Sequence, residues 1–213
     1  MAGLFVSFEG GEGSGKSTQI RLLEEKLQAF GRPVLHVREP GGTAIGEVIR
    51  HLLKHHPDNG GMTREAELLL FAASRAQLVR ERILPFLAGS GIVLADRFMD
   101  STTVYQGNGR DLPSDLVAAV NAFAVGGCHP HITFLLDLDA SAGLIRARAR
   151  QPGLRDRMEE ADESFYHTVR QAYLDLAAGS PERFCVLDAA LPPERLHVLI
   201  IETLTARGYG LLP

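Results

Sequence analysis

Apolar residues along the chain alternate between short, mostly apolar runs and longer stretches with helical spacing. The five short runs predict β-strands, and they comprise Leu4–Phe8, Val34–Val37, Ile92–Ala95, Ile132–Leu136 and Phe184–Leu187. Runs without polar alternation are typical of parallel strands that are covered on both faces. A helical stretch follows each run, so the pattern predicts an α/β fold with a five-stranded parallel sheet and helices on both faces.

The first helical stretch spans Thr18 to Phe30, and Gly31 is expected to end it. The other predicted helices are Ile45–Leu53, Glu65–Leu87, Pro113–Phe123, Ala140–Arg150, Ser164–Ala178 and Pro193–Ala206. Ligands of open parallel sheets bind beyond the carboxyl ends of the strands. The polar residues at those ends are therefore candidates for a site, and they are Glu9, Arg38, Glu39, Asp96, Arg97 and Asp137.

Composition narrows the class of protein. The 213 residues are 45% hydrophobic, which is enough for one core, and we expect a single domain over residues 1–213. The net charge of −4 argues against a general nucleic-acid binder. Two widely separated cysteines predict reduced thiols in a cytoplasmic protein. The first strand begins so early that a signal peptide does not fit before it, and no apolar run is long enough to cross a membrane.

The loop between the first strand and the first helix carries the clearest chemical signal. Residues 10–17 read Gly-Gly-Glu-Gly-Ser-Gly-Lys-Ser and match the pattern G-x-x-x-x-G-K-[ST]. Its glycines let backbone N–H groups turn inward, and the helix N-terminus adds partial positive charge, so polyphosphate is expected there. Lys16 can reach the β- and γ-phosphates, and the Ser17 hydroxyl can ligate Mg²⁺.

Two further segments lie at strand ends. Asp96-Arg97-Phe98 offers a carboxylate for a Mg²⁺ shell and an arginine that can bridge two phosphates. The segment 38–43 reads Arg-Glu-Pro-Gly-Gly-Thr, and its glycines would let a ligand approach the backbone beside Arg38. A plain turn explains the second segment equally well.

An arginine cluster follows the fourth strand. It comprises Arg146, Arg148, Arg150, Arg155 and Arg157, and Gln151-Pro152-Gly153 interrupts it. The Pro-Gly break favours a hinged flap, residues 146–160, over a straight helix. Such a flap could close on the transferring phosphates and exclude water, although a solvated helix face explains some of these arginines.

Taken together, the motifs at 8–17, 38–43 and 96–98 resemble those of bacterial thymidylate kinases, a family of P-loop nucleoside monophosphate kinases. Tyr105-Gln106-Gly107 and the Asp-Arg-Met-Glu segment at 156–159 share the resemblance, which extends from residue 4 to about residue 190. It implies a three-layer P-loop kinase fold with a mobile lid. It also implies a cytoplasmic homodimer that transfers the γ-phosphoryl group of ATP to dTMP with Mg²⁺. The products are dTDP and ADP, in a step of de novo and salvage dTTP synthesis for DNA replication.

The resemblance assigns roles to individual residues. The implied catalytic residues are Glu12, Lys16, Arg97 and Arg150, and the implied metal ligands are Ser17 and Asp96. ATP would contact Gly10, Gly11, Glu12, Gly13, Ser14, Gly15, Lys16, Ser17 and Thr18. The implied dTMP site comprises Glu12, Arg38, Arg50, Phe71, Arg75, Arg97, Thr102, Tyr105 and Gln106.

Within that site, the family pattern places Glu12 on the 3′-hydroxyl of the sugar. Phe71 would stack on thymine, Arg75 would reach its O4 atom, and Tyr105 would crowd the 2′ position. Judged from the residues alone, core packing is the favoured interpretation of Phe71, and residues 102–105 could be a helix start capped by Ser101. Asp188-Ala189 resembles the adenine-side loop of the family.

The family pattern leaves a choice among several arginines for the catalytic arginine of the lid. The phosphate loop of this chain holds Glu12 and no arginine, which is typical of members that use a lid arginine. Position favours Arg150, with Arg146, Arg148 and Arg157 as alternatives, and the segment 151–155 is one residue longer than the common form.

Other classes of function stay open at this stage. Another P-loop kinase would keep the loop chemistry with a different acceptor. A GTP-binding switch would need an Asn-Lys-x-Asp segment, which the chain lacks, and its D-x-x-G at 58–61 follows no strand. The intact Lys16 and Arg97 argue against an inactive scaffold. His51 and His55 are expected on a solvated helix face, without a metal.

Overall fold

Five parallel strands form one sheet in the order β2-β3-β1-β4-β5. The computed structural model describes residues 3–150 and 163–209, without the side chain of Arg150. The strands are β1 (Leu4–Glu9), β2 (Val34–Arg38), β3 (Ile92–Asp96), β4 (Ile132–Asp137) and β5 (Phe184–Asp188). The predicted sheet is confirmed, and each strand runs one residue beyond its apolar run. The added residue still pairs in the ladder, as Glu9 does with Leu135.

Helices connect the strands and cover the sheet. They are α1 (Lys16–Ala29), α2 (Ala44–Lys54), α3 (Arg64–Leu78), α4 (Leu84–Ala88), α5 (Met99–Thr102), α6 (Ser114–Val125), α7 (Ala140–Arg150), α8 (Glu163–Ala178) and α9 (Pro193–Ala206). Three of the described segments were not predicted: the 3₁₀ turn Pro57–Gly61, the short helix α5 and the π-helical turn Thr103–Asn108.

The predicted helix Glu65–Leu87 is interrupted by a wider turn. A π-helical turn, Val79–Ile83, separates α3 from α4, although the backbone stays right-handed helical through the junctions. Pro85 is the second residue after this turn. A proline ring inside a helix lacks the N–H donor and clashes with the carbonyl four residues earlier. The wider turn accommodates that ring, as π-bulges commonly do at such points.

The strand β1 lies at the centre of the sheet and faces a core on both sides. Leu4, Val6 and Phe8 pack with α1 and α9 on one face. Phe5 packs on the other face, where its ring meets the edge of Phe98 at 4.9 Å. Because successive strand residues point to opposite faces, Glu9 lies on the Phe5 side, among α5 and α8. The end of this central strand is therefore deeply buried. On one side of β1 lie β3 and then β2, and on the other side lie β4 and then β5.

The crevice for a ligand lies where the strand order changes direction, at the carboxyl end of β1. The phosphate loop, Asp96-Arg97, the segment 38–43 and Asp137 all meet at this edge. Within the described ranges, no helix is both long enough and apolar enough to cross a membrane.

Candidate active site

The phosphate loop wraps around its own lysine. Gly10, Gly13 and Gly15 have φ values of 135°, 70° and 93°, a backbone region that favours glycine. Lys16 opens α1, and its ammonium donates to the carbonyl oxygens of Gly10 at 3.0 Å and Gly11 at 2.8 Å. Burial, and then the charge of Arg97, lower the pKa of Lys16 to about 8. A buried cation beside a helix N-terminus suits polyphosphate.

A pair of oxygen ligands lies beside the loop. Ser17 Oγ on α1 donates to Asp96 Oδ2 at the end of β3 over 2.7 Å. Hydroxyl and carboxylate oxygens suit Mg²⁺, which usually keeps several waters and bridges to substrate phosphates. Among the described residues, no group of three or more His, Cys, Asp or Glu could hold a metal ion. A magnesium ion would therefore rely on this pair, on water and on the nucleotide itself.

An ion pair joins the phosphate loop to the turn after β3. Arg97 Nη2 lies 2.6 Å from Glu12 Oε1. Burial alone would raise the pKa of Glu12, but the charges of Arg97, Lys16 and Lys54 lower it to about 2. Glu12 is therefore ionised at neutral pH and holds the Arg97 guanidinium beside the loop.

A pocket opens on the other side of this ion pair. Seven of the residues expected to bind dTMP line it: Glu12, Phe71, Arg75, Arg97, Thr102, Tyr105 and Gln106. Glu39, Pro40, Lys54 and Ser101 also line it, although none of them was among the expected dTMP contacts. Lys54, at the end of α2, had no signal in the sequence beyond a polar helix terminus. Ser101 does not cap a helix, since α5 begins after Phe98.

Arg75 forms the fixed wall of the pocket. Its side chain is 1% exposed, and its Nε donates to Glu39 Oε2 at 2.8 Å. Its Nη1 donates to Asn121 Oδ1 at 2.8 Å, and its Nη2 donates to Thr102 Oγ1 at 2.9 Å. The guanidinium is therefore held in place from three elements before any ligand arrives.

Two aromatic residues line the pocket. Phe71 is half-buried at its wall, whereas Leu68 on the same helix fills the core. Tyr105 lies under the Arg97 guanidinium, 5.1 Å from its ring centre, and its buried hydroxyl finds no hydrogen-bond partner among the described residues. Burial raises the pKa of Tyr105 to about 12, so the hydroxyl is neutral. A buried hydroxyl without a partner at a pocket wall suggests contact with a bound molecule.

Comparison with known proteins decides the family. The family model for thymidylate kinase matches residues 8–200. The chain belongs to the thymidylate kinase family.

Curated thymidylate kinases resemble the chain along nearly their whole length. The protein of Halothermothrix orenii is 50% identical over 198 residues, which cover 92% of this chain and 94% of that protein. The protein of Deinococcus radiodurans is 45% identical, with coverage of 97% and 98%. The crystal structure of thymidylate kinase from Ehrlichia chaffeensis superposes with a TM-score of 0.77 at 31% identity, covering 96% of this chain and 100% of that chain.

Membership in the thymidylate kinase family makes the chain an ATP-dependent phosphotransferase that converts dTMP to dTDP. This result decides between the alternatives left open by the sequence, since a GTP-binding switch and a kinase for another class of acceptor are different families. The thymidylate kinase reaction also accounts for a phosphate loop and a pocket on opposite sides of Arg97.

Two predicted dTMP contacts lie just outside the pocket of this thymidylate kinase. Arg38 Nη2 pairs with Glu47 Oε2 at 2.8 Å, and Arg50 Nη1 donates to the carbonyl oxygen of Pro40 at 3.0 Å. Neither residue lines the pocket, but both lie beside Pro40, which does. Their contact with a phosphate stays a prediction.

The lid falls largely outside the described residues, including Arg155, Arg157 and the side chain of Arg150. Arg146 on α7 donates from Nη1 to the carbonyl oxygen of Ala189 at 2.9 Å, and Arg148 is exposed. Arg146 thus contacts the loop expected on the adenine side, and it does not reach the pocket residues.

Proposed function

We propose that dTMP binds in the pocket between Arg75 and Arg97, and that Arg97 bridges the acceptor and donor phosphates during transfer. The observation that supports this most directly is the position of Arg97. Its guanidinium pairs with Glu12 of the phosphate loop and also lines the pocket. Phosphoryl transfer depends mainly on positioning and charge stabilisation, so no separate base is required.

The donor side rests on the loop and on α1. Backbone N–H groups of residues 10–18 and the ammonium of Lys16 hold the ATP phosphates. Ser17 and Asp96 hold Mg²⁺, which neutralises charge on the phosphate oxygens when it is bound. The support is the pairing of two hard oxygen ligands 2.7 Å apart beside a buried lysine.

On the acceptor side, we assign the thymine ring to Phe71 and Arg75. Phe71 offers an aromatic face for stacking, and Arg75 offers guanidinium donors whose direction is already fixed. Thr102 and Gln106 contribute polar edges, and Glu67 holds the Gln106 amide at 2.8 Å.

The deoxyribose would lie between Glu12 and Tyr105. Glu12 is ionised and can accept from the 3′-hydroxyl, and the Tyr105 ring, which lines the pocket, would crowd a 2′-hydroxyl. A steric wall of this kind selects against ribonucleotides. The partnerless Tyr105 hydroxyl supports contact with a ligand at this point.

The lid is assigned to residues 146–160, with Arg150 as its catalytic arginine. The support is indirect: the phosphate loop supplies Glu12 and no arginine, and the helix α7, which carries Arg146, Arg148 and Arg150, packs against that loop. Gly143 of α7 packs so closely on the loop that a Cβ there would overlap the carbonyl oxygen of Glu12.

We also assign the protein as a cytoplasmic homodimer. An apolar surface between α3 and α6 supports the dimer, since Phe123 is 81% exposed and Leu69 is 58% exposed. Ala73, Ala76 and Val120 complete this surface, which we call the α3–α6 face. Cys128 and Cys185 are free thiols, in keeping with a reducing compartment.

The first experiment is ADP release from ATP and Mg²⁺ with a panel of acceptors: dTMP, dUMP, UMP, dCMP, AMP and thymidine. Strong preference for dTMP, with thymidine inert, is the expected result. Activity on UMP equal to that on dTMP would overturn the role of Tyr105. Equal use of dCMP would overturn the thymine contacts of Phe71 and Arg75.

A further inference from the structure

A carboxylate buried beneath the active site is not used by the chemistry described so far. Glu9, the last residue of β1, is 0% exposed. Its Oε1 accepts from the backbone N–H of Phe98 at 2.7 Å. Its Oε2 accepts from Ser101 Oγ at 2.6 Å and from the Tyr173 hydroxyl at 2.8 Å. These contacts join β1, the turn after β3, α5 and α8 at one point.

The first of these contacts stabilises an unfavourable backbone. Arg97 has a φ of 68°, a left-handed conformation that is uncommon for a residue with a side chain. Hydrogen bonds fix the turn on both sides of the Arg97 α-carbon: the Arg97 N–H donates to the Phe8 carbonyl at 3.0 Å, and the Phe98 N–H donates to Glu9. Conformations of this kind persist only where surrounding contacts impose them, and they are common at functional sites.

The other two contacts reach the guanidinium itself. Arg97 Nη1 lies 3.3 Å from Ser101 Oγ and 3.3 Å from the Tyr173 hydroxyl oxygen. A hydroxyl group has one proton and two lone pairs. When both hydroxyls donate to the Glu9 carboxylate, their lone pairs are directed away from Glu9 and can accept from Arg97. The Glu9 carboxylate therefore makes both hydroxyls donors on its own side and leaves them as acceptors on the side of Arg97.

We propose that Glu9 is a positioning residue for Arg97, which it controls through the Phe98 N–H and through the hydroxyls of Ser101 and Tyr173. Glu9 touches neither substrate, and it acts only by holding the guanidinium between the phosphate loop and the pocket. This proposal rests on the role assigned to Arg97 above.

Several charged and titratable groups face Glu9 from the elements around it. They are Asp100 on α5, Arg97, Lys16 on α1, Tyr105, Tyr173 on α8, and Arg183, which pairs with Asp100 at 2.6 Å. Burial, and then the charge of Asp100, raise the pKa of Glu9 to about 7, although Arg97 lowers it. As pH falls through 7, Glu9 takes up a proton and the two hydroxyls lose an acceptor.

The test is a double-mutant cycle with Arg97. Glu9→Gln keeps the shape of the side chain but replaces an acceptor with an amide donor. We expect it to lower kcat/KM for dTMP by about 10–100-fold, the effect of losing one or two charged hydrogen bonds. In an Arg97→Ala background the same change should cost less than about twofold, since residues that act as a unit are not additive. If Glu9→Gln lowers kcat/KM by the same factor in the wild-type and Arg97→Ala backgrounds, the proposal is overturned.

Asp100→Asn is the matched control. Asp100 is a carboxylate on α5 that is as buried as Glu9, but it pairs with Arg183. The control is run at about pH 8, where Glu9 is largely ionised with or without the Asp100 charge. Its effect on kcat/KM should then be the same in the wild-type and Arg97→Ala backgrounds. If Arg97→Ala itself keeps full activity, the role assigned to Arg97 is wrong. That outcome differs from equal Glu9→Gln losses in the two backgrounds, which would contradict only the role of Glu9.

Tyr173→Phe provides a second variant, and it carries the test if Glu9→Gln does not fold. It removes only one hydroxyl, and the loss of kcat/KM that it causes should likewise disappear without Arg97.

A pH series adds a further readout. The ratio of wild-type to Glu9→Gln kcat should fall severalfold between pH 8 and pH 6. Titration of the acceptor phosphate, with a second pKa of about 6, cancels in that ratio. A ratio that does not change with pH would overturn the role of the ionised carboxylate.

Discussion

Lys54 shows how a residue without a sequence motif can belong to a binding site. It lies at the end of α2 and lines the pocket proposed for dTMP, and its charge helps to lower the pKa of Glu12. Lys54→Gln should raise KM for dTMP about 3–10-fold and leave kcat within about twofold, because the lost attraction to an anionic acceptor acts equally before and during transfer. Steady-state kinetics with dTMP check this expectation.

Lys26→Gln is the control for that experiment. It removes one lysine charge from the last turn of α1 and should leave both constants unchanged. If Lys54→Gln lowers kcat while KM stays constant, Lys54 acts in the transition state and the interpretation above is wrong.

The buried pair of Arg75 and Glu39 should dominate the stability of the pocket. Glu39→Gln leaves the Arg75 charge buried without a full counter-charge, which typically costs about 3–5 kcal/mol. For a domain of this size the melting temperature should fall by about 6–20 °C. Differential scanning calorimetry measures the change. Glu47→Gln breaks the exposed pair with Arg38 and should cost less than about 1 kcal/mol, so equal shifts would contradict the prediction.

The sequence predicted those site residues whose role follows from the chemistry of their own side chains. Phe71, Arg75 and Tyr105 lie on the pocket, and Ser17 meets Asp96, as the family pattern implies. Glu9 and Glu39 were visible only as polar strand ends. Their partners lie more than thirty residues away in sequence, so the contacts depend on tertiary packing. No local pattern indicates which carboxylate will hold which arginine.

Among the elements, α7 is the one most constrained by the phosphate loop. A Cβ at Gly143 would overlap the carbonyl oxygen of Glu12, and a Cβ at Gly13 would overlap the carbonyl oxygen of Gly143. Gly143→Ala should therefore displace α7 or the loop and lower kcat at least tenfold, with a loss of about 1–3 kcal/mol in stability. Gly179→Ala, at the end of α8, meets nothing closer than 3.6 Å and should leave kcat unchanged. Comparable losses in both variants would mean that the loop contact has no special role.

The arginine at the end of α7 allows a separate prediction. Arg150→Ala should lower kcat by a thousandfold or so, the typical contribution of a charge-stabilising arginine. Affinity for dTMP should change little, since the contact forms mainly in the transition state. Single-turnover kinetics and calorimetric binding of dTMP separate the two quantities. Unchanged turnover would remove Arg150 from the catalytic residues.

Secondary-structure elements were predicted where local apolar spacing determines them and were missed where it does not. Short, mostly apolar runs predicted all five strands, because buried parallel strands need apolar side chains on both faces. The π-helical turn before Pro85 was missed, since hydrophobic spacing cannot distinguish it from a regular helix. The helix α5 and the turn at 103–108 were missed as well, because contacts of Ser101 and Asn121 with distant elements shape them.

At the scale of the whole molecule, the α3–α6 face should set the oligomeric state. Phe123→Asp places a charge at the centre of an apolar contact and should convert a dimer into monomers. Sedimentation velocity measures the change directly. Val198→Asp alters an exposed apolar residue on α9 and should leave the dimer intact. A wild-type protein that sediments as a monomer at micromolar concentration would refute the dimer.

The helix α6 belongs to both the pocket and the α3–α6 face. Asn121 accepts from Arg75 on one side of the helix, and Phe123 is exposed on the other. Whatever anchors α6 therefore also anchors Arg75, the donor proposed to reach the base. Dilution below the dissociation constant of the dimer would loosen that helix, so the apparent KM for dTMP should rise as the enzyme concentration falls. The enzyme's affinity for its nucleotide would then depend on how much of the enzyme is present.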